Sequence, residues 1–201
     1  MVDILKYSKK NKIYKFIITK ILRINIQLLS KPLFLKYNID LNLNESFFYE
    51  YKKKYPLTKW TTIEESGQRY QSNHDLNKLA EMNEPVKILE KILNTEVKKN
   101  VLNLKMIGRF KIKNFWFSIQ KENTVHPSHN HPKSVLSGVY YFKIDNNSGG
   151  EINLDLESKK VKHAPQKNDL LIFNSNIYHS VNDYLGKNDR IAIAWDAIYT
   201  F

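Results

Sequence analysis

The chain has 201 residues, enough for one domain with a full core, and its balance of 42% hydrophobic to 26% charged residues excludes a disordered polypeptide. It contains no cysteine, which excludes disulfide frameworks and zinc ribbons and leaves His, Asp and Glu as the side chains for any metal site. The net charge of +12 is lopsided, with 13 Lys/Arg against 4 Asp/Glu in residues 1–60; it fits either a solvated basic face or weak contact with an anionic surface, but no nucleic-acid module accompanies it.

Residues 1–30 read as a basic extension. Within it Ile13–Leu29 is apolar but interrupted by Lys15, Lys20 and Arg23, which is too charged for a secretory h-region or a membrane span. A basic amphipathic helix fits better, lying on a membrane surface or on the protein's own domain. The expected location is cytoplasmic. Pro32 marks a break after the extension. Residues 31–100 then read as a mixed, mainly helical support region of the same domain. Leu33–Leu43 alternates apolar and polar residues like a strand, and Ser46–Tyr55 reads as a short helix stopped by Pro56. Thr61–Leu76 is polar and turn-rich. Pro85–Val97 has apolar residues at helical spacing, with Asn83 as the expected cap and Pro85 in the first turn.

From residue 101 to 201 the texture changes to short strands: Phe110–Gln120, Ser134–Ile144, Glu151–Leu156, Asp169–Phe173 and Arg190–Tyr199. Turn signals at Asn146–Gly150 and Leu185–Asn188 separate some of them. Short strands at this spacing indicate a β-sandwich or jelly roll. The expected fold class is therefore mostly β (α+β), a double-stranded β-helix core with N-terminal helices packed outside.

Six histidines carry the candidate chemistry. Three lie within VHPSHNHP: His126, His129 and His131. In an extended segment residues two apart share a side, so His129 and His131 can reach one ion, although HxH alone is a weak signal. His179 is the natural third ligand, following the strand pattern LLIF and a turn and preceding a polar loop. Arg190 opens the last strand, where an arginine can clamp a carboxylate bidentately; a surface arginine is the blander alternative. His126 reads as a loop histidine that orients its neighbours. His74 and His163 read as exposed, and Tyr140 and Tyr141, as a bare pair, as core.

The segments HNHPKSVLSGVYYFK (129–143), SGGEINLD, LLIFNSNIYHSV and RIAIAWD, in this order, resemble a bacterial and phage family of 2OG-Fe(II) oxygenases, more distantly related to prolyl hydroxylases. The resemblance spans Phe115–Asp196, with a weaker echo in SGQRYQSN. It implies that His129, His131 and His179 are catalytic residues that hold Fe(II). It also implies that Tyr141 and Arg190 bind the distal carboxylate of the co-substrate 2-oxoglutarate, with ascorbate as a candidate reductant. Ser137 and Gly138 match a small-residue SG element that lets the strand pack close to the site. A standard facial triad has a carboxylate where His131 stands, so the resemblance leaves open whether His131 or water fills the third position. Asn174 stands where proline is usual, and Asn168-Asp169 replaces a glycine turn; both departures read as loop changes. The implied function is hydroxylation of an unknown substrate, small molecule or protein, with release of succinate and CO2. Two alternatives stay open: a three-histidine, cupin-like metal dioxygenase that uses no keto acid, and a non-catalytic jelly-roll binding module.

Overall fold

The computed structural model describes residues 32–64, 67–101, 108–156 and 159–200. The expected extension of residues 1–30, with Ile13–Leu29, lies outside the described residues. Two antiparallel sheets face each other. The larger is built from β1 (Phe34–Asn38), β2 (Thr62–Glu64), β3 (Gly67–Gln71), β4 (Arg109–Gln120), β6 (Leu136–Lys143), β9 (Asp169–Asn174) and β11 (Arg190–Thr200). The smaller holds β5 (Thr124–His129), β7 (Ile152–Leu156), β8 (Lys159–His163) and β10 (His179–Tyr184). Their orders are β1-β9-β6-β11-β4-β3-β2 and β5-β10-β7-β8, the double-stranded β-helix expected from the sequence.

Alternation along the central strands decides what each face does. On β4, Phe115, Phe117 and Ile119 point to the outer face, where with Ile191, Ile193 and Trp195 of β11 they form one core. Helix α1 (Glu45–Lys54) adds Phe48, and α2 (Asn83–Ile92) adds Leu89, continued by Leu93 and Val97 of a π-helical stretch, Leu93–Val101. The helices thus pack outside the sheet, as expected. A second, smaller cluster lies between the sheets, with Ile152, Leu154, Leu171, Phe173 and Ala192. No helix among the described residues is long and apolar enough to cross a membrane.

Several expectations need correction. Three strands of the large sheet come from residues 34–71, so the region read as support contributes to the core sheet itself. The strand read over Leu33–Leu43 covers only Phe34–Asn38. Helix α1 is close to its expected bounds, with Asn44 as cap accepting the Ser46 N–H at 3.0 Å. Asn83 caps nothing: its own backbone is already helical, because a 3-10 turn at Ala80–Met82 leads directly into α2. Five strands went unread: β2, β3, β5, β8 and β10. The last begins at His179, where a polar loop was expected.

Candidate active site

The inner face of the large sheet forms the floor of a cavity, and strand register dictates its layout. Cross-strand partners share a face. Arg69, Gln120 and Arg190 stand side by side on β3, β4 and β11. The next inward row is Gln71, Ser118, Ala192 and Tyr141, followed by Trp116, Ala194 and Val139, and then Asn114, Asp196 and Ser137. The small sheet supplies the roof, with His126, His129 and His179.

Pairing of β5 with β10 places His129, the last residue of one, opposite His179, the first of the other. Their ring centroids are 4.3 Å apart. His131 lies just beyond β5, where its backbone N–H donates to the Ser175 carbonyl at 2.7 Å. Its ring is 5.1 Å from that of His129 and 5.3 Å from that of His179. One ligand atom from each of the three lies within 4.8 Å of the others. The sequence-selected trio is therefore brought together.

Each imidazole is held through Nδ1. That atom lies 2.9 Å from the Pro127 carbonyl in His129 and 3.0 Å from the Ile177 carbonyl in His179. A carbonyl can only accept, so Nδ1 carries the proton in both, and Nε2 keeps its lone pair. In His131, Nδ1 meets Oδ1 of Asp196 at 3.2 Å. Asp196 also accepts from Ser137 Oγ at 2.7 Å and from Asn114 Nδ2 at 3.2 Å. Burial opposes its charge, yet these bonds hold the carboxyl below its usual range. A carboxylate behind a ligating histidine fixes its tautomer and raises its basicity. Asp196 was not singled out from the sequence. Its signal was available: it lies on the same face of β11 as Arg190, six residues on.

Burial also keeps the roof histidines neutral. It lowers the pKa of His129, takes that of His179 to about 4 and that of His126 to about 2, with neighbouring positive groups adding to the effect. Neutral imidazoles are the metal-binding form. The sign for stability follows. Below the unfolded histidine value near 6.5 the unfolded chain takes up protons that the folded apoprotein refuses, so stability falls with falling pH from about 6.5 downward. The expected loss is about 1.4 kcal/mol per such histidine at pH 5.5, as His179→Asn should reveal by removing its share in urea unfolding at pH 7.5 and 5.5. A stability unchanged between those pH values would contradict the neutral buried imidazoles.

At the other end of the cavity lies Arg190, 1% exposed, with its guanidinium carbon 5.1 Å from the Tyr141 ring centroid and 5.9 Å from that of Tyr184. A Cβ on Gly150 would come within 2.4 Å of Arg190 Nη1, so glycine, at φ +67°, makes room for the cation. Among the described residues Arg190 Nε and Nη1 find no hydrogen-bond partner, and the fully buried Tyr141 hydroxyl has none beyond the guanidinium beside it. Burial raises the Tyr141 pKa, keeping the phenol a neutral donor. A buried cation with idle donors beside an idle hydroxyl costs several kcal/mol unless an anion meets it. The distal carboxylate of a keto acid has the geometry and charge to do so, and the three imidazoles can hold a divalent ion; the residues present therefore fit both groups.

Other expectations fare differently. His126 lies 4.3 Å from the His129 ring but outside the group of three. His74 is not simply exposed: it stacks between Trp60 and Trp116 at 4.7 and 4.5 Å and meets Gln71 Nε2 at 3.1 Å. Trp116 in turn lies 5.8 Å from the His131 ring, so a row of aromatic rings leads from the surface to the site. His163 is also paired, with Asp169 at 3.0 Å. Tyr140 and Tyr141 both belong to core clusters, as read, and Tyr141 also lines the cavity. Gly138 serves packing: a Cβ there would lie 2.2 Å from the Trp195 ring. Asn168 adopts φ +69°, the left-handed conformation otherwise left to glycine, while Asp169 and Asn174 belong to β9 rather than to loops.

Fold and side chains together define a double-stranded β-helix with three converging histidines and a buried arginine in one cavity. Comparison with known proteins agrees. Residues 114–162 match the family described as "Putative 2OG-Fe(II) oxygenase", which bears out the resemblance read from the sequence. No curated protein matches in sequence. Among solved structures, a Pseudomonas putida prolyl-4-hydroxylase is similar over 88% of this chain and 98% of its own, with TM-score 0.58 and 12% identity. The viral collagen prolyl hydroxylase of Paramecium Bursaria Chlorella virus-1, solved with 2OG, gives 0.56 at 16% identity, covering 82% and 96%. HygX from Streptomyces hygroscopicus, solved with nickel and 2-oxoglutarate bound, gives 0.56 at 14% identity, covering 89% and 87%. At these identities the structures establish a shared fold. This chain is thus similar to the 2OG-Fe(II) oxygenase family over residues 114–162 and shares the fold of these structures.

Proposed function

We propose that this chain couples the oxidative decarboxylation of 2-oxoglutarate, to succinate and CO2, with hydroxylation of a C–H bond in an organic substrate. The observation that carries the reading is the joint presence, in one cavity, of three convergent imidazoles and an idle buried Arg190–Tyr141 pair. A metal dioxygenase without a keto acid has no use for that pair. HygX, of the same fold, holds nickel and 2-oxoglutarate, which supports the assignment.

In this reading the Nε2 atoms of His129, His131 and His179 hold Fe(II), and Asp196 orients His131 by accepting its Nδ1 proton. Arg190 and Tyr141 donate to the distal carboxylate of 2-oxoglutarate and so fix the direction in which the keto acid lies. The cofactor pair supplies the oxidising power when bound; the protein supplies position and a dry cavity. Trp116, Phe173 and Ile152 line that cavity with apolar surface. A cytoplasmic location, and contact of the basic residues 1–60 with an anionic surface, are part of the same proposal. The test is purified protein with Fe(II), ascorbate and 2-oxoglutarate, assayed for succinate by NMR. Slow succinate formation without added substrate, abolished in His179→Ala, is the expected result. No succinate, with no anaerobic binding of 2-oxoglutarate, would overturn the proposal.

A further inference from the structure

The loop that follows α1 has no part in the chemistry above, yet its surface is unusual. Among the described residues six large hydrophobic side chains are exposed, and three of them, Tyr55, Leu57 and Trp60, fall within six consecutive positions. Exposed apolar residues scattered singly are ordinary, whereas a cluster marks a contact. Leu57 is 78% exposed, the most of the six. The loop is nevertheless held firmly. The Tyr70 hydroxyl donates to the Tyr55 carbonyl at 2.7 Å, and Thr58 Oγ1 donates to the Gln71 carbonyl at 2.6 Å. Both neighbours of the Pro56-Leu57 pair are thus tied to β3, and the fold keeps an aliphatic side chain in water.

Charge around Leu57 is one-sided. Residues 51–61, YKKKYPLTKWT, contain four lysines and no acid. None of Lys52, Lys53, Lys54 and Lys59 forms an ion pair among the described residues. Lys78 and Lys113 extend the basic surface around an adjoining pocket that Lys59 and Trp60 also line, where Asp75 is the one acid among the described residues.

An exposed leucine set among lysines, with Tyr and Trp beside it, suits the boundary of an anionic bilayer. Lysines meet the lipid phosphates, aromatic rings sit at headgroup level, and the aliphatic tip enters the acyl region. A single-stranded nucleic acid would meet the same lysines but needs ring faces on which to stack its bases. Here the rings already have partners. Trp60 stacks on His74 at 4.7 Å and has Lys59 Nζ 4.8 Å from its centroid; Tyr55 has the Tyr51 ring at 4.8 Å and Lys54 Nζ at 5.4 Å. Leu57, the most exposed of the three, offers a base nothing to stack on.

Resting on the anionic-surface contact proposed above for residues 1–60, we infer that segment 52–60 docks on the headgroup surface of an anionic lipid bilayer, with Leu57 entering the bilayer and the lysines facing lipid phosphates. The stack of Trp60, His74 and Trp116 joins this segment to the cavity wall, so a bilayer docked there lies beside the active site.

The test is sedimentation of the full chain with vesicles of phosphatidylcholine alone, or of phosphatidylcholine and phosphatidylserine in a two-to-one ratio. Wild type should partition onto the mixed vesicles about tenfold more strongly than onto the neutral ones. Leu57→Asp should weaken that partition about fivefold or more, through loss of the inserted side chain. Brominated lipid should quench tryptophan fluorescence in wild type through Trp60, since Trp116 and Trp195 are buried, and should not in Leu57→Asp. Succinate formation in solution is a separate readout and should be unchanged in that variant. Undiminished vesicle binding by Leu57→Asp overturns the inference and leaves an anionic contact elsewhere in residues 1–60 standing. Wild type that does not prefer the mixed vesicles overturns both. Tighter binding of wild type to a single-stranded oligonucleotide than to the mixed vesicles makes the partner a nucleic acid and likewise overturns the inference. Should Leu57→Asp fail to fold, Lys53→Gln/Lys54→Gln decides: weaker partition onto the mixed vesicles supports the inference, and unchanged partition refutes it.

Discussion

Replacing His131 by aspartate, nominally a repair toward a two-histidine, one-carboxylate triad, is expected to weaken metal binding. In this protein His131 answers to Asp196, which takes its Nδ1 proton at 3.2 Å and is itself held by Ser137 and Asn114. An aspartate at 131 presents a second carboxylate to the first, with no proton to share at neutral pH. Like charges at that range repel, and in a buried setting the repulsion is larger than in water. The new side chain is also shorter and loses the anchor that aims it. Loss of an outer partner of a metal ligand typically costs 10–100-fold in affinity, so His131→Asp should bind Fe(II) or Mn(II) roughly that much less tightly. The double variant His131→Asp/Asp196→Asn removes the repulsion and restores a donor; it should recover most of the affinity. Competition with a chromogenic chelator measures all three proteins. Tighter binding by the single variant would show that Asp196 does not govern His131.

Arg190→Gln carries the second large effect, with opposite signs in two assays. The apoprotein should become more stable, because the substitution removes a buried cation whose Nε and Nη1 have no partner among the described residues. Replacing a poorly compensated buried charge gains on the order of 1–3 kcal/mol. Binding of 2-oxoglutarate to the metal-loaded protein should fall by a factor on the order of 100, since losing one side of a desolvated charge pair costs about 2–5 kcal/mol. Metal affinity should be unchanged, as Arg190 is not among the three converging imidazoles. Thermal unfolding of the apoprotein and anaerobic calorimetry of the loaded one give the two numbers. A variant less stable and equally able to bind 2-oxoglutarate would mean that Arg190 serves the fold and not the co-substrate.

The legibility of this protein in its sequence divides along a physical line. Strands whose two faces both bury apolar groups, such as DLLIFN and RIAIAWD, announce themselves, and their bounds were close. Strands β3, β5 and β10 did not, because the residues they turn inward are the site itself. GQRYQ presents Arg69 and Gln71 to the cavity, TVHPSH presents His126, and HSVNDY begins with His179. The hydrophobic alternation that identifies a half-buried strand is replaced there by polar chemistry. The same substitution concealed the role of residues 34–71: Leu33–Leu43 alternates visibly, whereas Thr61–Leu76 looks like loop. Among site residues, the three converging histidines and the buried Arg190 were legible from spacing and family resemblance together. Asp196 was missed although its place on the Arg190 face of β11 could be read, because its partner His131 lies far away along the chain. The stacking of His74 between two tryptophans was likewise hidden by distance along the chain.

The account stands on one dependency, that the co-substrate site at Arg190 is completed by an ion held at the histidines. Anaerobic titration of 2-oxoglutarate into the protein with and without Mn(II), in wild type and in His129→Ala/His179→Ala, measures this directly. The account predicts one 2-oxoglutarate per chain in the loaded wild type, and affinity at least tenfold weaker without metal or in the double variant. Equal binding with and without metal, or undiminished metal uptake by the double variant, would contradict it.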